Sequence, residues 1–398
     1  MGAPMLVTVE ESVFESAHER DRARAYLLVA RGAAHSRSEI GRALGLRSTT
    51  TSRVVADLVG RRLLLETAGP AAGRGRPAAG LMFDPQRIGG SVIQIASQSF
   101  AGSLVDLNGT AVAQRTVVVP RDADNASISR SLAALAAGLV EDMPRGMLHA
   151  GTAVSLPGLL DLSRTRWMMA SRWSRMRALA IDEVLSDIGG PVEICRNLDA
   201  DLRARLLLEP QIFGHGPLLL LHWGWGIGMA YAVDGRPFDS GVGSFGEIGH
   251  WRISALEGRP CTCGNDGCLE TGAALWSLLP ALRRHWPDLA DDESRLYEQL
   301  PDRDLTAIPE IDLATRELAR VLANSWRMLF PARIVVTGPF VSNAALWSHF
   351  TALFQRECAM AGIAAPLLYA DRVSRNFELR GAAEPLLRRA VEQLLRNP

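Results

Sequence analysis

Three cysteines, Cys261, Cys263 and Cys268, fall within eight residues, with Gly264 and Gly267 between them and His250 a short way upstream. Three thiolates and one imidazole are the donor set of a closed, tetrahedral Zn²⁺ site. The glycines permit the tight turn that brings Cys268 back towards Cys261 and Cys263. Four protein ligands leave no open position, so the expected ion is structural rather than hydrolytic. Three unrelated buried thiols are the bland alternative, which so dense a cluster disfavours. Five cysteines are an odd count, and the chain is expected to work in a reducing compartment. Cys195 and Cys358 have no partner in sequence and read as buried apolar thiols.

A second chemistry lies near the N-terminus. Residues 36–80 hold eight arginines against three acids, although the 398-residue chain as a whole is neutral, with 43 basic and 43 acidic residues. Every basic residue is arginine, which excludes a Schiff base or a phosphate-binding lysine. Two short amphipathic segments, 38–44 and 48–61, meet at Gly45, in the manner of a helix-turn-helix. The second begins Ser48-Thr49-Thr50-Thr51 and carries Arg53; Ser48 reads as its N-cap. Hydroxyls and a guanidinium there suit contacts to phosphates and base edges. Arg74 and Arg76, spaced by glycine, suit a narrow minor groove of double-stranded DNA. A solvated arginine face is the alternative.

These motifs need elements to hold them. Residues 16–32 have helical spacing, with Ala17, Ala23, Tyr26, Leu27 and Ala30 on one stripe. Residues 69–80 read as a Gly/Pro/Ala-rich loop. From residue 88 three strands follow one another, with Asn108-Gly109 as a hairpin turn. Residues 128–143 read as a helix, and MLHAGTAVSLPG and PVEICRNLDA as strands. LLLLHWGWGIGMAYAVDG reads as a hairpin, 311–330 as a long helix, ARIVVTGP as a buried strand, and 378–396 as a last helix. The alternation makes an α/β body. The acidic, interrupted N-terminus is unlike a signal peptide, and the uncharged stretch 211–233 contains two histidines and five glycines. A soluble cytoplasmic protein without membrane association is expected.

Glu247-Ile-Gly-His250 followed by CTCGNDGCLE resembles the signature of the ROK family of repressors, open reading frames and sugar kinases. SRSEIGRALGLRSTTTSRVVADLVGRRLLLE and GRGRP resemble the DNA-binding arm of its repressor branch, which includes the N-acetylglucosamine and xylose repressors. The resemblance implies a winged helix-turn-helix over residues 1–82 with its linker, then a two-lobed, actin-like ATPase fold over 83–398. The lobes would be 83–196 plus the C-terminal helix, and 197–375. It also implies a homo-oligomer, dimer or tetramer, and a sugar or sugar derivative in the cleft. The sugar would be held by Glu247, His250, Glu270 and Asp199, the last at the position of the kinases' base, with Leu198 where they carry asparagine. Second-coordination support of the metal loop is the alternative for the two glutamates, and helix capping for Asp199.

The same resemblance argues against catalysis. The first phosphate loop, Asp-x-Gly-Gly-Thr in the kinases, reads Gln94-Ile95-Ala96-Ser97-Gln98. The second, Gly-Thr-Gly-Ile-Gly, reads Gly224-Trp225-Gly226-Ile227-Gly228. The chain is therefore expected to be a sugar-responsive transcriptional regulator and no enzyme. A kinase that retains ATP-dependent phosphorylation is the alternative, and a ligand-independent architectural DNA-binding protein is a third reading.

Overall fold

The computed structural model describes residues 6–67, 80–95, 99–238, 241, 243, 245–371 and 376–396. Arg74, Arg76 and the segment Ala96-Ser97-Gln98 lie outside them.

Three helices open the chain: α1 (Ala17–Ala30), α2 (Arg37–Leu44) and α3 (Ser48–Gly60). Ser16 caps α1 with a capping box completed by Glu19, and Ser36 caps α2. Gly45, at φ +66°, makes the left-handed turn between α2 and α3. Ser48 is the first residue inside α3 rather than its cap; Arg47 holds the cap position and offers no side-chain bond. Ala17 is exposed, so the buried stripe of α1 starts further along. Strands β1 (Leu64–Thr67) and β2 (Gly80–Phe83) pair antiparallel as the wing's stem. Arg37 on α2 reaches Glu66 on β1 at 2.5 Å, tying the stem to the helices.

The body contains two sheets of the same design. The first is built from β3 (Ile88–Ile95), β4 (Ser99–Asp106), β5 (Ala111–Val118), β6 (Leu148–Leu156) and, further along, β10 (Val192–Arg196). Helix α4 (Asn125–Glu141) covers it. Its spatial order is β10-β6-β3-β4-β5, antiparallel on the hairpin side and parallel across β3, β6 and β10. Strands β7 (Leu159–Asp161), β8 (Arg166–Met169) and β9 (Leu179–Ala180) form a small sheet, followed by the short helix α5 (Ile181–Val184). The tripeptide Leu-Asp-Ala that reads as strand from sequence is instead helical. β10 stops at Arg196, and α6 (Asn197–Leu208) begins at the next residue, followed by α7 (Pro210–Phe213).

The second sheet runs β13-β12-β11-β14-β15, from β11 (Leu218–Trp223), β12 (Ile227–Val233), β13 (Arg236–Pro237), β14 (Arg333–Thr337) and β15 (Leu367–Ala370). Again a hairpin side is antiparallel and the other side parallel. Between β13 and β14 come α8 (Glu270–Ala273), α9 (Leu275–His285), α10 (Glu293–Gln299) and α11 (Pro309–Leu329). Helix α12 (Ala344–Glu357) follows β14, and α13 (Phe377–Arg396) closes the described chain. Leucines of β11 on one face, the apolar stripe of α11 and the α12 aromatics make one core with Trp223, Phe340 and Phe350 at its centre. Phe100, Trp167 and Trp173 centre another, beneath the first sheet.

A third core joins the N-terminal head to the body. Tyr26, Ile40, Val54 and Leu58 share it with Val92, Leu386, Leu387 and Leu395. Arg61, at the end of α3, donates to the Leu394 carbonyl of α13 at 2.6 Å and pairs with Asp57, which also takes Arg22. Among the described residues no helix is long and apolar enough to cross a membrane.

The crossing of α13 on α6 is very close. A Cβ built on Gly381 would lie 1.7 Å from the Ala200 carbonyl oxygen. Gly381→Ala therefore overpacks two backbones and should destabilise the fold by about 1–3 kcal/mol or more, read as a lowered denaturation midpoint in urea.

Candidate functional site

The metal loop is assembled by short backbone bonds. The Cys261 N–H donates to the Asn265 carbonyl (2.8 Å), and the Gly264 N–H donates to the Cys261 carbonyl (3.1 Å). Gly264 and Gly267 take φ of +95° and +67°, the left-handed region that favours glycine. Asp266 closes the loop by accepting from Gly258 N–H and pairing with Arg252. The donor atoms of His250, Cys261, Cys263 and Cys268 all lie within 4.8 Å of one another. Cys261 Sγ is 3.6 Å from His250 Nδ1, and Cys263 Sγ is 3.6 Å from Cys268 Sγ. A tetrahedron with bonds of about 2.0–2.3 Å has edges of about 3.5–3.8 Å, so the four donors fit a metal ion. Nδ1 faces the thiols, which leaves Nε2 for the cavity that His250 also lines.

That cavity, of about 370 Å³, opens between the two sheets at the carboxyl ends of β10, β11 and β14. Glu247, His250 and Glu270 all line it, so the structure brings these three predicted residues together. Glu270 is buried; its Oε1 accepts from the Ile227 N–H at 2.9 Å, and a Cβ on Gly226 would come within 3.0 Å of the same oxygen. Glu247 faces Arg196 Nη2 at 3.2 Å. Burial pushes its carboxyl up to about 7, against the pull of Arg196. Asp199 is not brought to the cavity. It lies in the first turn of α6, 3.5 Å from Arg196 Nη1, while Asn197 and Leu198 line the wall. The strand-like reading ran to Ala200, whereas the helix begins at Asn197, four residues sooner, and Asn197 lines the cavity.

Other lining groups carry no sequence motif. Arg196 is a buried cation that also donates to the Met229 carbonyl. Arg205 is clamped between Asp201 (2.5 Å) and Asp371 (2.7 Å). Glu378, in the first turn of α13, sits with Gln94 and Ser155, near Asp201, His222 and Cys195, and burial pushes its carboxyl up to about 7. The i,i+4 spacing of Asp201 and Arg205, and of Glu293 and Tyr297, was the available signal, and it is common on any helix.

In the head, Ser48, Thr49 and Arg53 are exposed on α3 and Thr50 is half-buried. Thr51 is buried in the α2–α3 joint, where its hydroxyl donates to the Arg47 carbonyl and its Oγ1 would stand 3.1 Å from a Cβ on Gly41. Thr51 therefore packs the motif and is not presented to a groove. Arg42 on α2, Arg47 at the cap of α3 and Ser52 on α3 are exposed and extend the polar face.

Comparison with known proteins agrees with this geometry. The profile of the ROK family matches residues 90–384. The chain is 23% identical to the DNA-binding transcriptional repressor Mlc of Escherichia coli over 320 residues, covering 78% of each protein. It is 24% identical to the E. coli DNA-binding transcriptional dual regulator NagC over 336 residues, covering 79% of each. Among solved structures, a ROK family transcriptional regulator homologous to E. coli Mlc superposes with a TM-score of 0.71 at 20% identity, covering 95% of this chain and 97% of that one. The fold is thus a winged helix-turn-helix ahead of the two-lobed, actin-like ROK body.

Two predictions follow from the site. Purified protein should carry about one metal ion per chain by elemental analysis, and Cys263→Ser should lose most of it and melt at lower temperature. The second concerns protons. A folded Glu378 carboxyl at about 7, above its ordinary 4.5, keeps a proton that the unfolded chain has released. Stability should therefore be highest at the acid end of that window and fall as pH rises through 7. Denaturation free energies measured across that range should show the slope; Glu247, raised to about 7 as well, adds to it, so Glu378→Gln should reduce the slope without abolishing it. With its matching profile and fold, the chain belongs to the ROK family.

Proposed function

We propose that the chain is a sugar-responsive, DNA-binding transcriptional regulator, acting as a repressor, with a structural zinc ion and no kinase activity. The observation that carries the reading is the shared core between head and body. Helix α1, on which α2 and α3 pack, lies on α13, Arg61 at the end of α3 bonds the Leu394 carbonyl of α13, and α13 packs on α6, whose first turn lines the cavity. A ligand there bears on the same packed elements that hold the reading head. The names of the relatives, repressors and a dual regulator of transcription, support the same assignment.

By this reading Ser48, Thr49, Thr50 and Arg53 meet double-stranded DNA, joined by Arg74 and Arg76 of the wing. Glu247, His250, Glu270 and Asn197 hold a sugar or sugar derivative. Carboxylates accept bidentate hydrogen bonds from vicinal hydroxyls, and His250 offers its second ring nitrogen while the first faces the thiols. Asp199 acts through Arg196 rather than on the ligand. Zn²⁺ suits the three-sulfur, one-nitrogen donor set and would order the loop between His250 and Glu270. A dimer in the cytoplasm would present two heads to a pseudo-palindromic operator.

Crossing Trp225 into the turn after β11 supports the absence of kinase chemistry, because an indole there crowds a bound nucleotide. The reading is tested by footprinting on the protein's own promoter and its neighbours, with and without a panel of sugars. Protection of half-sites about 10 or 21 base pairs apart is expected, weakened by one sugar. Glu247→Gln should lower affinity for that sugar by about 1–3 kcal/mol in calorimetry and leave DNA affinity without ligand unchanged. No protected site in any of these promoters would overturn it.

A further inference from the structure

Strands β11 and β14 are parallel neighbours in register, His222 opposite Thr337. Each ends in a glycine turn, Gly224-Trp225-Gly226 and Gly338, at the wall of the cavity. Turns at the carboxyl ends of parallel strands present backbone N–H groups to a cleft, an arrangement that takes anions. Here both turns are already occupied from within the chain. The Trp225 N–H donates to Glu293 Oε2 at 2.8 Å, and the Gly338 N–H donates to the Tyr297 hydroxyl oxygen at 2.7 Å. Glu293 and Tyr297 stand one turn apart on α10, so one short helix closes both turns. Glu293 Oε1 lies 3.0 Å from His222 Nε2, and His222 Nδ1 is 3.1 Å from the Thr337 hydroxyl.

The opposite lobe seals this end. Arg172, anchored beside the buried Trp173, lies 3.7 Å over the Trp225 ring with Arg121 further out, and Arg121 pairs with Asp291 just ahead of α10. The charge around the rest of the cavity has the same sense. Its described lining carries six carboxyl groups against three guanidiniums, and four of the six, Asp201, Glu270, Glu293 and Asp371, still outnumber the guanidiniums when Glu247 and Glu378 hold their protons.

We propose that Glu293 and Tyr297 are specificity-determining residues that fill the anion seat at the ends of β11 and β14, so that the cavity takes an unphosphorylated sugar, neutral or amine-bearing, and rejects sugar phosphates and nucleotides. The carboxylate supplies the negative charge that a phosphoryl group would bring, on the same N–H donor and beside the same histidine. A phosphate entering the seat must expel a hydrogen-bonded carboxylate and then meet its charge. The sugar half of the statement rests on the proposed function; the filled seat does not.

Titration calorimetry on the full chain separates the two. The probes are inorganic pyrophosphate and matched pairs of sugar and sugar 6-phosphate (glucose, glucosamine, N-acetylglucosamine). The wild-type protein is expected to bind no pyrophosphate at millimolar concentration, and to prefer the unphosphorylated member of any pair it binds by at least about tenfold, the worth of one charge-assisted hydrogen bond. Glu293→Ala, which vacates the Trp225 N–H and frees His222, should gain pyrophosphate binding by about the same factor, with Glu293→Ser as a second variant of similar effect. Wild-type binding of pyrophosphate, equal affinity for a sugar and its phosphate, or a folded Glu293→Ala that gains nothing would each overturn the proposal. If neither variant folds, the wild-type titrations decide it. If no sugar binds at all, the sugar reading fails while the pyrophosphate titrations still judge the filled seat.

Discussion

The structure turns on the crossing of α13 over α6. Gly381 lies against the Ala200 carbonyl with no room for a side chain, and Arg203 of α6 donates to the Gly381 carbonyl at 2.8 Å. Two backbones so close behave as one body, because close-packed interiors switch between arrangements rather than deform smoothly. One end of that body is the cavity, through Asn197, Leu198 and Asp201 on α6 and Glu378 on α13. The other end is the head, through Arg61 on the Leu394 carbonyl and the shared apolar core. A ligand changes the head only if it binds two arrangements of this body with different affinity. The packing supplies the physical connection that such a difference would use.

Burying this much charge in the cleft has a cost that pairing offsets. Arg196 sits between Asp199 and Glu247, and Arg205 between Asp201 and Asp371; each guanidinium is nearly sealed from water. Removing one partner of such a set leaves an uncompensated buried charge, which costs far more than a surface ion pair is worth. The clusters sit at the start and in the middle of α6, the helix that meets α13. The cleft is thus polar where it must be held in one shape, and its apolar support lies behind the sheets.

What sequence made legible was local. The cysteine cluster is a single turn, so its spacing alone defines the donor set. The helix-turn-helix needs only capping, periodicity and Gly45. The strands of both sheets show as short apolar runs between turn residues, except the edge strands β13 and β15, which are too short and too exposed to stand out. Thr51 was misread because a hydroxyl on a basic helix looks alike whether it faces DNA or the neighbouring helix; only the packing against Gly41 separates the two. Asp199 came from the resemblance to the kinases' motif; in the structure it pairs with Arg196 behind the cavity wall, where Asn197 and Leu198 are the lining residues. Glu293, Tyr297, Arg172 and Trp225 come from three distant segments, and nothing in their spacing announces that they meet. Such long-range constellations depend on topology that periodicity does not encode. The wing arginines fall outside the described residues, and the structure leaves that expectation where the sequence put it.

The metal loop and the cavity are one construction. Glu247 begins the turn that carries His250, whose N–H donates to the Glu247 carbonyl at 3.1 Å. Glu270 follows Cys268 by two residues and starts α8. An ion held by His250, Cys261, Cys263 and Cys268 would therefore staple the backbone on both sides of the two carboxylates that line the cavity. Apart from such an ion, these carboxylates are held by Arg196 on Glu247 and by the Ile227 N–H on Glu270, while the exposed part of the loop relies on turn hydrogen bonds and the surface pair of Arg252 with Asp266. Surface pairs contribute little, whereas metal binding contributes folding free energy directly. On the proposed function, an ion there would bear on ligand affinity without touching the ligand, because it would fix the backbone that sets the distance between Glu247 and Glu270.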